Sequence, residues 1–233
     1  KCPPWKITSN KIHHDKVKKQ ITYKNAWLEL YDYPVMYFPK FFHPDPTVER
    51  QSGFLSPELG SSNNLGSSIY TPYFYVISDD KDITIKPRLF NDKFLLQNEY
   101  RQKTKNSFTV SDFSFTRGHD SNDLDKGGTR SHLFSKTIVD LSLNGYISSL
   151  LTINFQKVSN DNYLELFKMY SPLLLDNSVL ESAIELDVEH EKYDLTASFV
   201  MLETLNGTNN DRYQYVLPNY NFSKNFNLEK VNG

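Results

Sequence analysis

The residues able to carry chemistry are few and scattered. Asp123-Leu124-Asp125-Lys126-Gly127-Gly128 opens like a calcium loop, with glycine sixth. Its fifth position is Gly127 and its twelfth Phe134, so two required oxygen ligands are missing. His13, His14 and Asp15 are adjacent, and strand neighbours cannot all point at one metal; a turn suits them better. His119-Asp120 brings no third partner. Cys2 is the single cysteine, which excludes an internal disulfide framework or a Cys-cluster metal site within this chain. The sequence holds no G-x-S-x-G, no H-E-x-x-H and no P-loop. The expectation is a protein that is not an enzyme and uses no cofactor and no metal.

The elements around these residues are more informative. Lysine plus arginine number 26 against 28 acids, a formal charge of −2, without the basic excess of a nucleic-acid binder. The longest uninterrupted apolar run is Tyr73 to Ile77, too short for a membrane-spanning helix. Aromatics are abundant (15 Tyr, 16 Phe, 2 Trp), yet mean hydropathy is −0.56. That combination predicts an all-β protein, including one whose strands alternate between two solvents. The chain starts at Lys1 with no signal peptide following, and its last residues still read as structured chain. A piece of something longer is expected.

Short alternating runs fill the first forty residues, such as Trp5, Ile7 and Ser9 against Lys6, Thr8 and Asn10. They predict a small β-roll or jelly roll. Lys16, Lys18 and Lys19 read as a solvated turn face. Pro39, Pro44 and Pro46 crowd into eight residues and predict a stiff connector, with a domain boundary near residue 47. Beyond it the period-two signal lengthens. Leu180, Ile184, Leu186 and Val188 face away from Glu181, Glu185, Asp187 and Glu189; Tyr193, Leu195, Ala197, Phe199 and Met201 oppose Asp194, Thr196 and Ser198. Runs this long match the ~9–11 residues of a tilted strand crossing a bilayer. Ser107 to Thr116 breaks the pattern, with Phe108 and Val110 on one face and Phe113 and Phe115 on the other; a bulge is one explanation. Asp79-Asp80-Lys81 and Asn91-Asp92-Lys93 read as short turns, while 117–130 and 159–177 read as longer loops, the second with a short helix around Tyr163 to Met169. Alternation alone leaves two architectures open, a membrane barrel and a soluble β-sandwich.

The stretch Tyr37 to Gly60, YFPKFFHPDPTVERQSGFLSPELG, resembles the junction in the LptD (OstA/Imp) family of lipopolysaccharide-assembly outer-membrane proteins. Upstream, WKITSNKIHHDKVKKQITYKNAWLELYDYPVMYFP resembles the end of that family's periplasmic jelly roll. Downstream, Ile69 to Phe90, Leu95 to Arg101, Ser159 to Glu165 and Tyr215 to Phe226 continue the likeness. The resemblance implies residues 1–38 as the last part of the jelly roll and 39–50 as a Pro-rich linker (Pro39, Pro44, Asp45, Pro46). It implies 51–233 as the first part of a large antiparallel transmembrane β-barrel, about eight to ten strands here. The implied function is transport: acyl chains of lipopolysaccharide pass along the jelly roll, the head group passes through the barrel lumen, and the molecule leaves through a lateral gate into the outer leaflet. Pro57 and Pro72 match the family's prolines on the first two barrel strands and are the expected gate residues. An acyl-chain path along Ile7, Ile21, Tyr23, Leu28, Leu30 and Val35 is expected, though a filled core would look the same. Glu181, Glu185, Asp187 and Glu189 with Lys86, Arg88, Arg101 and Lys103 would line a wet path. Cys2 resembles the last of the family's disulfide cysteines, with its partner outside the chain. Implied partners are lipopolysaccharide, outer-membrane lipid, a plug lipoprotein (LptE), a periplasmic bridge protein (LptA) and the barrel-assembly machinery, with no nucleic acid. The competing readings are a passive outer-membrane porin and a soluble β-sandwich binding module.

Overall fold

The computed structural model describes residues 4–17, 19–48, 50–62, 65–91, 93–118, 129–205 and 212–224. Cys2, the Asp123–Gly128 stretch and His119-Asp120 lie outside the described residues. The alternating runs of the first forty residues form β1 (Trp5–Asp15), β2 (Gln20–Leu30) and β3 (Tyr33–Pro44), one antiparallel sheet in that order. Tyr31 and Asp32 join β2 to β3 with φ of 48° and 68°, the two positive angles of a type I′ hairpin. Lys6 Nζ donates to Asp32 Oδ1 at 2.5 Å and steadies that turn.

β3 reaches Pro44, so Pro39 and Pro44 belong to a strand and the connector shrinks to residues 45–52. This departs from the expected linker of 39–50. The reason is position: β3 is a marginal strand paired on one side only, where a missing N–H is tolerated. Asp45 and Pro46 do lie in the connector.

The second sheet contains β4 (Gly53–Phe54), β5 (Glu58–Ser62), β6 (Gly66–Tyr70), β7 (Tyr73–Ser78), β8 (Lys81–Phe90), β9 (Lys93–Lys103) and β10 (Ser107–Gly118). It continues with β11 (Arg130–Asp140), β12 (Ser148–Val158), β13 (Val179–His190), β14 (Tyr193–Thr204) and β15 (Tyr213–Lys224). All pairings are antiparallel, and from β8 onward each strand pairs with its sequence neighbour. The margins, β5 and β15, do not meet, so the sheet is open. Asp79-Asp80 and Asn91 flank β8 and therefore fall at opposite ends of the sheet. Among the described residues no helix is long and apolar enough to cross a membrane.

One face of this sheet exposes apolar side chains, and the other buries polar groups beside an apolar core. In register, Thr137, Ile153, Ile184 and Phe199 make one row, and Ile153, Ile184 and Phe199 are 41%, 52% and 50% exposed. Phe113, Phe115, Leu133 and Phe155 share that exposed face. The opposite face buries polar groups: Asp82, Thr84, Gln97, Asp112, Ser114, Thr116 and His132. No bulge interrupts β10. Its register with β9 and β11 is continuous, and only the residue types change along each face. Where alternation turns polar on the outer side, hydroxyls pair across strands: Thr109 with Thr137 at 3.0 Å and Ser111 with Ser135 at 2.8 Å.

The segment between β12 and β13 folds back over the inner face and carries α1 (Tyr163–Leu166). Tyr163, Leu164, Phe167 and Met169 pack with Leu95, Phe134, Val158 and Leu180 into a core. Burial of a side chain such as Leu164 or Phe167 is worth roughly 1.5–3 kcal/mol, enough to hold a short helix that could not stand alone.

Candidate functional site: a proline break beside an apolar hollow

Two interrupted strands define the site. β4 and β5 are halves of one strand parted at Leu55-Ser56-Pro57; β6 and β7 are halves of the next, parted at Thr71-Pro72. Phe54 pairs with Tyr73 and Glu58 with Tyr70, so three residues on one strand span two on the other, a bulge. Across the break Leu55 N–H donates to the Pro72 carbonyl at 2.9 Å. Pro72 is buried, while Pro57 is half-exposed beside the hollow described next.

That hollow has a volume of about 440 Å³ and joins the two sheets. Trp5, Ile7, Leu28, Met36, Phe38, Phe41 and His43 line it from the small sheet; Phe54, Leu55, Ser56, Pro57 and Thr71 line it from the break. Of the expected acyl-path residues, Ile7 and Leu28 are on its wall. Tyr23 stands behind it, its ring 5.9 Å from Phe41 and its hydroxyl 2.8 Å from His43 Nε2. Ile21 pairs with His43 and Leu30 with Trp5 in register, one step removed. Val35 is not part of it. It is the extra residue of a bulge between Leu28 and Glu29 and is 51% exposed. Sequence reasoning missed Met36 and Phe38, inside the expected jelly-roll segment 1–38, and Phe41, inside the expected linker 39–50. Phe38 and Phe41 would oppose each other under strict alternation, yet their rings are 5.4 Å apart. Asn25, left-handed at φ 51° opposite Pro39, marks the kink where the apolar side changes parity.

The connector is fastened at both ends. Asp45 accepts the Thr47 N–H (2.9 Å) and hydroxyl (2.8 Å) and contacts His14. The Thr47 N–H, then its hydroxyl and His14, hold the Asp45 carboxyl below the ordinary carboxylate range. Arg50 pairs with Asp82 and donates to the Asp79 carbonyl at 2.5 Å, while Ser52 Oγ accepts the Val76 N–H at 2.8 Å. Residues 50–52 thereby stand in for a strand beside β7.

The inner wall is a connected polar surface. Arg101 pairs with Asp82 at 2.9 Å and Lys86 with Glu99 at 2.7 Å. Gln97 donates to Asp112, which contacts His132 Nε2 at 3.2 Å, and His132 Nδ1 meets Ser114 Oγ at 2.6 Å. Gln97, Arg88 and Gln156 also donate to the carbonyls of Tyr170, Phe167 and Leu173, pinning the α1 segment to the wall. Serine, histidine and aspartate in line invite comparison with a hydrolase, but all three are buried and Ser114 is already bonded to the Tyr163 hydroxyl. They are a structural brace. Burial pushes the Tyr163 phenol up to about 12, against a smaller opposing effect of the Ser114 hydrogen bond. Among the described residues no group of three His, Cys, Asp or Glu side chains could hold a metal. Glu181 and Glu185 are half-buried on the wall, whereas Asp187 and Glu189 are exposed.

No family model matches this chain. Curated proteins do. It is 29% identical over 198 residues to the LPS-assembly protein LptD of Legionella pneumophila (strain Paris), covering 78% of this chain and 23% of that protein. With LptD of Francisella tularensis subsp. holarctica (strain OSU18) it shares 28% identity over 192 residues, 82% of the chain and 21% of the relative. LptD of Pseudoalteromonas translucida (strain TAC 125) is 31% identical over 165 residues, 70% of the chain and 21% of the relative. The chain thus spans roughly a fifth of the length of the relatives it matches.

Proposed function

This chain is homologous to a segment of the LPS-assembly protein LptD, a protein that assembles rather than an enzyme, and from that premise we propose that it forms the junction through which lipopolysaccharide enters its exit gate. In this reading the small sheet is the end of a periplasmic jelly roll. The open sheet is the first part of an outer-membrane barrel in a Gram-negative bacterium, closed by strands outside this chain. Exposed Ile153, Ile184 and Phe199 face hydrocarbon, and the polar wall faces the lumen.

One observation carries the proposal: the apolar hollow of the small sheet opens directly onto the strands broken at Pro57 and Pro72. Acyl chains lying against Leu28, Met36 and Phe41 would meet weakly paired strands, where a sideways exit costs least. A passive porin gives no reason for that hollow. A soluble sandwich would bury the row that stands exposed. Family resemblance further supports a plug lipoprotein (LptE) in the lumen, a bridge protein (LptA) on the jelly-roll edge and folding by the barrel-assembly machinery. A photo-crosslinking residue at Phe41 of the full-length protein in cells should capture lipopolysaccharide, whereas one at Trp27, on the opposite face against Tyr37, should not. Equal labelling at both, or none at Phe41, would refute the path.

A further inference from the structure

We infer that Pro87 is a third hinge residue of the gate, so that the paired strands β5 and β6 (Glu58–Ser62 and Gly66–Tyr70) swing as one leaf; the inference rests on the transport reading above. Pro87 lies on the strand behind the two interrupted ones, at the same level. Tyr73 pairs with Ile85 and Tyr70 with Arg88, which sets Thr71 directly opposite Pro87. Thr71 N–H donates to the Pro87 carbonyl at 3.3 Å. In an antiparallel ladder such residues exchange two bonds, and the return bond needs an N–H that proline lacks. The Leu55–Pro72 contact has the same form: Leu55 donates to Pro72, and Pro72 returns nothing. Each of the two ladders crossing the break therefore keeps half of a bonded pair.

Above this line the leaf is held by a short ladder and, near its tip, by Leu65, which is buried in the core around Tyr163. β6 meets β8 through three pairs only: Ser68 with Phe90, Ile69 with Leu89 and Tyr70 with Arg88. Beneath it is a cavity of about 100 Å³ between Gly60, Ser68 and the α1 segment, into which the leaf can tilt. Arg88, next to the hinge, holds the closed position. Its guanidinium is 5.1 Å from the Tyr70 ring centroid and donates to the Phe167 carbonyl at 3.3 Å.

The test uses the full-length protein with Pro87→Thr, which supplies the absent donor. Hydrogen exchange should slow about fivefold across residues 58–70, the factor expected of one net backbone hydrogen bond, and remain unchanged in β13 and β14. Unchanged exchange at 58–70, or equal slowing everywhere, overturns the hinge. Should that variant fail to assemble, Ser68→Cys with Phe90→Cys pins the leaf through a reducible disulfide. Slowed exchange at 58–70 that reverses with reductant supports the hinge, and no change on oxidation refutes it. Slowed exchange with normal surface lipopolysaccharide would leave the hinge standing and sink the export role instead.

Discussion

Replacing Ile184 with arginine separates a lipid-facing sheet from a water-facing one. Ile184 is the sixth of twelve residues in β13. With a rise of ~3.4 Å per residue and a tilt of ~40°, that strand covers roughly 30 Å of depth, and Ile184 lies about 1 Å from its middle. It is flanked in register by Ile153 and Phe199, so no polar neighbour offers the guanidinium a partner. Arginine at the bilayer midplane costs about 2–4 kcal/mol, roughly a thirty- to thousandfold fall in the folded-to-unfolded ratio. Leu195 shares this face near the end of β14, about 9 Å from that strand's middle, where the same change should cost only about 0–1 kcal/mol. Urea titration of the full-length protein folded into phospholipid vesicles measures both. A cost for Ile184→Arg within about 0.5 kcal/mol of zero, typical of a hydrated surface position, would refute the membrane orientation.

Three further outcomes follow from the geometry. Lys11, Lys24 and Lys40 sit side by side across the small sheet, so Lys24→Glu should stabilise it by roughly 0.2–1 kcal/mol per new opposite-charge neighbour, read by thermal unfolding. Tyr163→Phe removes the bond to buried Ser114 and should loosen the α1 segment by about 1 kcal/mol, seen as faster exchange over residues 159–178 and not over β14. The depressed Asp45 carboxyl adds stability that is full above its unfolded value of 3.8 and drains away as pH falls through its lower folded value. Protection of the Thr47 amide should therefore fade in that acidic window, and Asp45→Asn should abolish the dependence.

The strands were legible because side-chain period and turn residues act locally. Ile184 against Glu185, or Phe199 against Ser198, needs no knowledge of the rest of the chain, and the short helix near Tyr163 was visible in the same way. The connector was misjudged at Pro39 because proline forbids a central strand and permits a marginal one, and local sequence does not say which β3 is. The hollow was half-legible: Ile7 and Leu28 follow simple alternation, whereas Phe38 and Phe41 share a side only through the kink at Asn25. The brace of Asp112, Ser114 and His132 was invisible, since the residues meet only once β10 and β11 are in register. Pro57 and Pro72 were identified by resemblance to known proteins. Pro87 needed the ladder itself, because a proline within an unbroken ten-residue strand gives no outward sign of facing a gap.

The uninterrupted order of strands from β8 to β15 bears on how such a sheet is built. Each new ladder there joins strands adjacent in sequence, which keeps the loop entropy of closure low wherever the connection is short, as between β8 and β9 or β13 and β14. Only β4 with β7, past β5 and β6, and β6 with β8, past β7, must reach over intervening strands. Zippering should thus run most readily toward β15, while the hairpin at the opposite margin settles last, leaving a late, reversible step beside the proposed gate.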